Sequence, residues 1–357
     1  MARRLSAVTF VLLLCAGLAV VLARLISAAP GLAQQVRMAS WTDGSVTALL
    51  GARVDRAAPD SPALDQAMHG LLYAATGDAD PQVRQGCAGW LFLAEETAST
   101  PHGEQQLRQR VRLASLLRAD LARRGITLLL LPVPDKVEQA HAELCGLAVS
   151  DQARGRRQAW LAASANRGWL QTDLSTGWPG PAYWRTDSHW DRTGAAFAAA
   201  RVAALARAVL PRGATAMQRT TAPQASVRNG DLARLAGLAD NRPPFAPAAE
   251  YDHASTLTIT RGGGLLDDVA APQVLLAGSS YSLNSGFLDA LQLQLGQEVS
   301  QQSYTGSGYA GSLLDVMTHP QRLNGVRLLI WEWPLRSLYQ PLTGAETDYL
   351  KRQGHQP

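Results

Sequence analysis

The chain has 357 residues, of which 46% are hydrophobic and 17% are charged, and its formal net charge is +4. This composition fits one large or two ordinary folded domains and excludes a wholly disordered chain. Arginine supplies nearly all of the positive charge, because the only lysines are Lys136 and Lys351. Since the arginines form no clustered basic stripe, the sequence argues against a nucleic-acid partner.

The chain begins with a segment of membrane-spanning character. Between Arg4 and Arg24 the run 5–23 carries no charged residue, and it is about long enough to cross a bilayer as a helix. Basic residues before the run predict export of the residues after it. We expect residues 1–34 to form an uncleaved inner-membrane anchor. A cleaved signal peptide is the alternative, since small residues follow the run. Both interpretations place the rest of the chain in the periplasm.

The expected oxidation state of the cysteines depends on the same compartment. Cys15 lies in the apolar run, which leaves Cys87 and Cys145 in the exported part. In an oxidising compartment two such cysteines are expected to form a disulfide. Two buried free thiols are nearly as good an interpretation of the sequence.

The first half of the exported part predicts helices and buried strands. Residues 35–80 predict a small helical or irregular lead-in, and residues 81–340 predict the main domain. A turn into a short strand is expected at 87–93. Apolar residues at helical spacing then predict a helix over 104–124 that ends at a glycine. The continuous apolar run 126–131 is typical of a strand buried on both faces of a parallel sheet.

The second half continues this alternation. Thr193 can cap a helix that reaches about residue 210. The stretch 211–272 is rich in Pro, Gly and Asp, and it predicts long loops and a possible lid. The remaining expected segments are a strand at 274–277, a helix at 285–295, strands at 299–304 and 327–331, and a tail at 341–357. Strands alternating with helices predict an α/β fold with a mostly parallel sheet, whose chemistry gathers at the carboxyl ends of the strands.

The first chemical motif is Asp187-Ser188-His189-Trp190. In an extended segment, side chains two residues apart point to the same side. Asp187 can therefore hold the Nδ1–H of His189 and direct its Nε2 towards a nucleophile. A structural ion pair or a metal site is the alternative. The remaining histidines show no ligand spacing, and we expect no metal and no cofactor.

A nucleophile is available in Gly278-Ser279-Ser280-Tyr281-Ser282, between a predicted strand and a predicted helix. Gly278 permits a tight turn. A serine at the start of the helix lies at the positive end of the helix dipole, which favours an oxyanion. An ordinary loop whose serine only caps the helix is the alternative.

Taken in order, these motifs resemble the alginate O-acetyltransferase family of AlgJ and AlgX, within the SGNH hydrolase-like group. The resemblance covers roughly residues 85–335. It rests on Gly89-Trp90-Leu91-Phe92-Leu93, Pro132-Val133-Pro134-Asp135-Lys136, Asp187-Ser188-His189-Trp190, Gly230-Asp231-Leu232 and Gly278-Ser279-Ser280-Tyr281-Ser282. Few residues follow Trp331-Glu332-Trp333, so the chain looks closer to AlgJ or to cellulose-acetylation proteins than to AlgX, which carries a C-terminal carbohydrate-binding module.

The resemblance implies a circularly permuted, SGNH-hydrolase-like three-layer sandwich that performs serine acyl transfer. It makes Ser280 the nucleophile, His189 the base and Asp187 the orienting acid. The amide of Ser280 would hold the oxyanion. Gly306 or Gly308 is a candidate for a second amide donor, although a plain turn explains these glycines as well.

The implied function is O-acetylation of an exopolysaccharide of the alginate or cellulose type through an acetyl-serine. The implied partners are the polysaccharide acceptor and a membrane-bound O-acyltransferase that relays the acetyl group. An acetylesterase that uses the same triad with water is one alternative. A non-catalytic glycan-binding scaffold is another, and the presence of all three triad residues counts against it.

Four residues are candidates for contact with the substrate: Trp184, Trp190, Tyr281 and Lys136. Sugar rings stack on aromatic faces, but core packing is the default role of a tryptophan, and we expect most of them in the core. For Lys136, steadying a loop is the preferred interpretation over binding an anionic glycan.

Overall fold

The computed structural model describes residues 62–77, 80–260 and 271–354, together with 11–12, 15–24, 45–46, 49 and 52–53. The chain divides into two compact units, residues 1–65 and 66–357. Most of the predicted anchor and of the lead-in up to residue 61 lies outside the described residues. Within the described part, none of the helices combines the length and the apolar character that crossing a bilayer requires.

The secondary structure alternates between strands and helices. The strands are β1 (Val83–Gln85), β2 (Leu91–Leu93), β3 (Thr127–Val133), β4 (Leu170–Gln171), β5 (Ala216–Thr221), β6 (Ser226–Arg228), β7 (Glu250–Asp252), β8 (Ser255–Thr260), β9 (Val274–Gly278), β10 (Val299–Ser303) and β11 (Leu328–Pro334). The α-helices are α1 (Pro62–Thr76), α2 (Ala94–Thr97), α3 (Gly103–Arg123), α4 (Lys136–Gln139), α5 (Asp151–Ser164), α6 (Arg192–Ala206), α7 (Asp231–Leu235), α8 (Ser280–Leu283), α9 (Phe287–Leu295), α10 (Gly311–Thr318) and α11 (Gly344–Gly354). Short 3-10 helices occupy Cys87–Gly89, His141–Glu143, Pro320–Leu323 and Leu335–Tyr339.

A five-stranded parallel sheet forms the centre of the larger unit, with the strand order β10-β9-β11-β3-β4. Its inner strands are continuous apolar runs because both faces are covered. Within β3, Leu128 and Leu130 pack in the core on one face, while Leu129 and Leu131 pack in the core on the other. Side chains alternate along the strand, so one apolar run supplies both cores.

Helices cover both faces of this sheet. One core joins the sheet to α3, α5, α10 and α11, and the other joins it to α6 and α9. The predicted α/β three-layer sandwich with a parallel sheet is therefore confirmed. The helix expected over 104–124 is α3.

The helix after the Asp187 motif begins two residues earlier than a Thr193 cap requires. The side chain of Asp191 accepts hydrogen bonds from the amides of Thr193 and Gly194, at 2.7 and 2.9 Å. Asp191 is therefore the N-cap of α6, and the predicted cap is wrong. The positive end of the helix dipole also stabilises a negatively charged carboxylate more than a neutral hydroxyl.

The stretch 211–272 contains strands where loops were expected. In it β5 pairs with β8, and β6 pairs with β7, both antiparallel. Most residues of β5 and β6 are exposed, so no run of buried apolar side chains revealed these strands in the sequence. The prediction of loops throughout this stretch is wrong.

The C-terminal residues are part of the packed domain. Helix α11 places Tyr349 and Leu350 in the core beside α3. A buried ion pair of 3.1 Å joins Glu346 to Arg110 of α3. The domain therefore extends beyond residue 340, and most of the tail expected at 341–357 is this helix.

Cys87 and Cys145 form a disulfide across 58 positions of sequence, with 5.2 Å between their Cα atoms. In the unfolded chain this bond closes a long loop and lowers its conformational entropy. We expect the double variant Cys87→Ser/Cys145→Ser to lose about 2–4 kcal/mol of unfolding free energy. Urea unfolding of the oxidised protein, followed by tryptophan fluorescence, measures the loss. An unchanged free energy would show that the bond does not constrain the chain.

Candidate active site

Two chain segments build the site. Strand β9 ends at Gly278, and Ser280 is the first residue of α8. The other segment runs from Tyr183 to Trp190, which face each other in an antiparallel bridge just before α6. This closure holds the residues between them in a fixed turn at the edge of the domain.

The structure brings Asp187, His189 and Ser280 into one hydrogen-bonded chain. Nε2 of His189 lies 2.7 Å from Oγ of Ser280, and Nδ1 of His189 lies 2.6 Å from Oδ1 of Asp187. Asp187 and His189 are 3% and 6% exposed, whereas Ser280 is half-buried. This is the arrangement in which a histidine can take the proton of a serine hydroxyl.

The second oxygen of Asp187 is held by groups from the stretch predicted to be loops. Nη2 of Arg228 donates to Oδ2 at 2.8 Å, and the amide of Asp231 donates at 3.3 Å. Burial raises the pKa of Asp187, but the hydrogen bonds from His189 and the charge of Arg228 outweigh it and hold the pKa well below its ordinary value. Asp187 therefore stays ionised and keeps Nδ1 of His189 protonated.

Asp231 adds a second carboxylate beside the histidine. It accepts the amide of Ser188 at 2.6 Å and the hydroxyl of Ser188 at 2.5 Å, and its Oδ2 lies 3.4 Å from Nδ1 of His189. Ligand atoms of Asp187, His189 and Asp231 lie within 4.8 Å of one another. A metal ion there would have to displace the hydrogen bond between Asp187 and Nδ1 of His189, so the geometry serves a triad better than a metal.

Arg228 was missed in the sequence, while Asp231 was noted only within a short motif and given no role. The motif Gly230-Asp231-Leu232 was the one available signal for Asp231. Arg228 offered none, because it lies in β6, among exposed residues. Its guanidinium also lies 4.8 Å from the ring centre of Trp184, a distance typical of a cation–π contact.

The expected oxyanion donors lie on neighbouring turns. The amide of Ser280 belongs to the first turn of α8, where amides have no partner within the helix. Gly306 and Gly308, both with positive φ, occupy the loop after β10. That loop is tied to the nucleophile turn, because the amide of Tyr304 donates to the carbonyl of Gly278 at 3.2 Å. The loop is close enough to the turn for the two glycines to remain candidates.

Comparisons with known proteins identify the family. Residues 83–335 match the family described as SGNH hydrolase-like domain, acetyltransferase AlgX. The chain belongs to this family. The predicted family, the SGNH-like fold and the O-acetyltransferase activity are thereby confirmed.

Individual relatives agree with this assignment. The chain is 27% identical over 290 residues to the probable alginate O-acetylase AlgJ of Pseudomonas aeruginosa, a match covering 75% of this chain and 73% of that protein. It is 26% identical over 293 residues to the alginate biosynthesis protein AlgX of Pseudomonas fluorescens, covering 75% of this chain and 57% of AlgX.

Solved structures show the same fold. The O-acetyltransferase domain of Pseudomonas putida AlgJ superimposes with a TM-score of 0.66 at 23% identity, covering 77% of this chain and 99% of that domain. Pseudomonas aeruginosa AlgX gives a TM-score of 0.54 at 22% identity, covering 71% of this chain and 62% of AlgX.

Two of the expected substrate contacts of this acetyltransferase are core residues. Trp190 and Tyr281 are both 0% exposed. The ring of Trp190 packs 5.0 Å from that of Phe287, and the hydroxyl of Tyr281 donates to the carbonyl of Ser188 at 2.7 Å. They support the triad from within the domain and offer no face to a sugar, so this prediction is corrected. Trp184 is half-buried and keeps part of its surface accessible.

Lys136 is a structural residue, which agrees with the preferred interpretation of the sequence, and its candidate role as a substrate contact is corrected. It is completely buried, and its Nζ donates to the carbonyls of Leu91, Arg185 and Asp187 at 2.6, 2.9 and 2.9 Å. Burial lowers the pKa of Lys136 to about 8. Lys136 thus ties β2 to the turn that carries the triad acid, and it does not reach a ligand.

The contact between Arg228 and Asp187 predicts a stabilisation that persists into acid pH. Because the folded pKa of Asp187 lies well below the ordinary 3.8, its stabilising contribution is complete above that value and is lost as the pH falls through the folded pKa. We expect Arg228→Gln to cost about 1–3 kcal/mol of unfolding free energy near pH 7, and most of this loss should remain near pH 4, because the folded Asp187 is still ionised there.

Urea unfolding at both pH values measures this loss. Arg234→Gln is the control, since Arg234 is exposed and its guanidinium donates to the carbonyl of Asn229; it should leave the free energy of unfolding nearly unchanged at both pH values. A free energy of unfolding for Arg228→Gln that equals that of the wild type near pH 7 would contradict the assigned contact.

Proposed function

We propose that this acetyltransferase moves acetyl groups through Ser280 to hydroxyl groups of an exported polysaccharide. The observation that carries the proposal is the continuous hydrogen-bonded chain Ser280–His189–Asp187, in a chain of the AlgX acetyltransferase family. The relatives named alginate O-acetylase support a polysaccharide acceptor of the alginate type.

In the first half-reaction, Nε2 of His189 removes the proton of Ser280 Oγ as this oxygen attacks the carbonyl carbon of an acetyl ester. The charge that develops on the carbonyl oxygen is stabilised by the amide of Ser280, with Gly306 and Gly308 as candidates for a second donor. The ester bond then breaks, and His189 returns the proton to the departing alcohol. Ser280 is left acetylated.

In the second half-reaction, a sugar hydroxyl enters and His189 takes its proton. The sugar oxygen attacks the acetyl carbon, the bond to Ser280 breaks, and the proton passes from His189 to Oγ of Ser280. The ionised Asp187 stabilises the imidazolium that forms in each half-reaction and holds the ring in place. The half-buried Trp184 keeps its place as a candidate to stack against the acceptor.

An exported location fits this chemistry. We propose that the domain acts in the periplasm, anchored to the inner membrane or released after signal cleavage. Support comes from the uncharged run 5–23 and from the disulfide Cys87–Cys145, since such bonds persist in oxidising compartments. A membrane-bound O-acyltransferase that relays acetyl groups is the proposed donor-side partner.

The nucleophile and the acceptor can be tested together. Incubating the protein with a chromogenic acetyl ester should yield acetylated oligosaccharide when an exopolysaccharide fragment is present, measured by mass spectrometry. Ser280→Ala should lower turnover by at least about 10³-fold, because the oxygen that accepts the acetyl group is gone.

Ser226→Ala is the control, because Ser226 is an exposed serine of β6. Its turnover should match that of the wild type. Release of acetate at a rate that oligosaccharides do not change, with no acetylated sugar, would instead assign an acetylesterase. Full turnover by Ser280→Ala would refute the nucleophile.

A further inference from the structure

A buried carboxylate lies directly under the nucleophile turn. Glu332 of β11 is 1% exposed. Its Oε2 accepts the amide of Ser279 at 2.7 Å, and the amide and hydroxyl of Ser282 at 3.2 and 2.7 Å. Its Oε1 accepts the hydroxyl of Ser279 at 2.8 Å. The two residues bound by Glu332 flank Ser280.

The hydrogen bonds around Glu332 match an ionised carboxylate. Such a group offers about four acceptor sites and no donor, and all four of its partners here are donors. The hydroxyl of Ser279 donates its one proton to Glu332 and accepts the amide of Tyr281 at 3.2 Å. This relay fixes the backbone on both sides of Ser280. The amide of Ser280 does not donate to Glu332, which leaves this amide for the oxyanion.

The sheet and a glycine make room for this side chain. Strand β11 pairs with β9 so that Trp331 lies opposite Ala277, which places Glu332 beside the end of β9. A Cβ atom on Gly278 would lie 2.7 Å from Oε2 of Glu332 and 2.1 Å from Oγ of Ser282. Any side chain at 278 would therefore displace the carboxylate or the turn.

Stability alone does not account for a charge at this position. The other six residues of β11 are apolar and buried, and replacing a buried charge network by well-packed apolar residues is often neutral or stabilising. Burial also raises the pKa of Glu332, which is the sign of a carboxylate kept in an unfavourable environment. What the carboxylate provides is a fixed geometry for the residues next to Ser280.

We propose that Glu332 is a positioning residue for acyl transfer, whose carboxylate holds the Ser279–Ser282 turn so that Oγ of Ser280 points at Nε2 of His189. This inference rests on the proposed role of Ser280 as nucleophile. A displacement of a reacting atom by about 1 Å can cost on the order of 10²-fold in rate. Glu332 does not touch the substrate.

Glu332→Gln is the direct test, because the amide keeps the shape but turns one acceptor oxygen into a donor that faces other donors. We expect kcat for acetyl ester turnover to fall roughly 10–100-fold with KM changed less than about 2-fold. The rate at which a sulfonyl fluoride labels Ser280 should fall by a similar factor. Label on wild-type Ser280 but not on Ser280→Ala tests the nucleophile separately from Glu332.

Glu346→Gln is the matched control. Glu346 lies on α11 and is an equally buried carboxylate, but its partners are the side chain of Arg110 and the amide of Thr343. This variant should lose thermal stability to a comparable degree and keep kcat and the labelling rate. The proposal is overturned if Glu332→Gln keeps both rates, or if Glu346→Gln loses them equally.

Ser282→Ala covers the case in which Glu332→Gln does not fold. It removes one of the four donors and leaves the carboxylate in place. We expect kcat and the labelling rate of Ser280 to fall together, by roughly 2–10-fold, with KM unchanged. Wild-type rates in a folded Ser282→Ala protein would overturn the proposal.

Discussion

The site depends on one contact between distant parts of the chain, the 2.7 Å hydrogen bond between Nε2 of His189 and Oγ of Ser280, across 91 positions of sequence. Neither residue can perform acyl transfer without the other, because the serine needs a base and the base needs a nucleophile. The sandwich supplies this contact by ending β9 directly before Ser280 and closing the Tyr183–Trp190 bridge beside it. Several other polar contacts of the site hold one of these two segments in place.

Polar side chains that are buried or half-buried provide most of that support. Lys136 donates to the carbonyls of Leu91, Arg185 and Asp187. Asp231 accepts hydrogen bonds from the amide and the hydroxyl of Ser188. Buried polar groups are costly when unpaired and rigid when fully paired. The turn that carries Asp187 and His189 is therefore held from several directions, which is the preorganisation that a triad requires.

The sequence was sufficient for the sandwich and for the three residues of the triad, and it failed where the pattern carried no burial signal. The inner strands were visible because a strand covered on both faces is rich in consecutive apolar residues, as in β3 and in the first four residues of β11. Asp187 and His189 were visible because side chains two residues apart in an extended segment point to the same side. Arg228 and the pairing of β5 with β8 were not, because most residues of β5 and β6 are exposed and their sequences carry no run of buried apolar side chains. Trp190 and Tyr281 were named as candidate substrate contacts because the sequence shows residue type but not exposure. Glu332 could have been noticed in the sequence, because it is a single carboxylate among the apolar residues of β11.

The central claim, that acetyl transfer passes through Ser280, is tested most directly by trapping the intermediate. The protein is mixed with an acetyl donor without acceptor, quenched with acid, digested, and analysed by mass spectrometry. The account predicts one acetyl group on Ser280, absent in His189→Ala, that disappears when an acceptor oligosaccharide is added before the quench. An acetyl group on Ser279 or Ser282, or turnover with no acetylated peptide at any time, would contradict it.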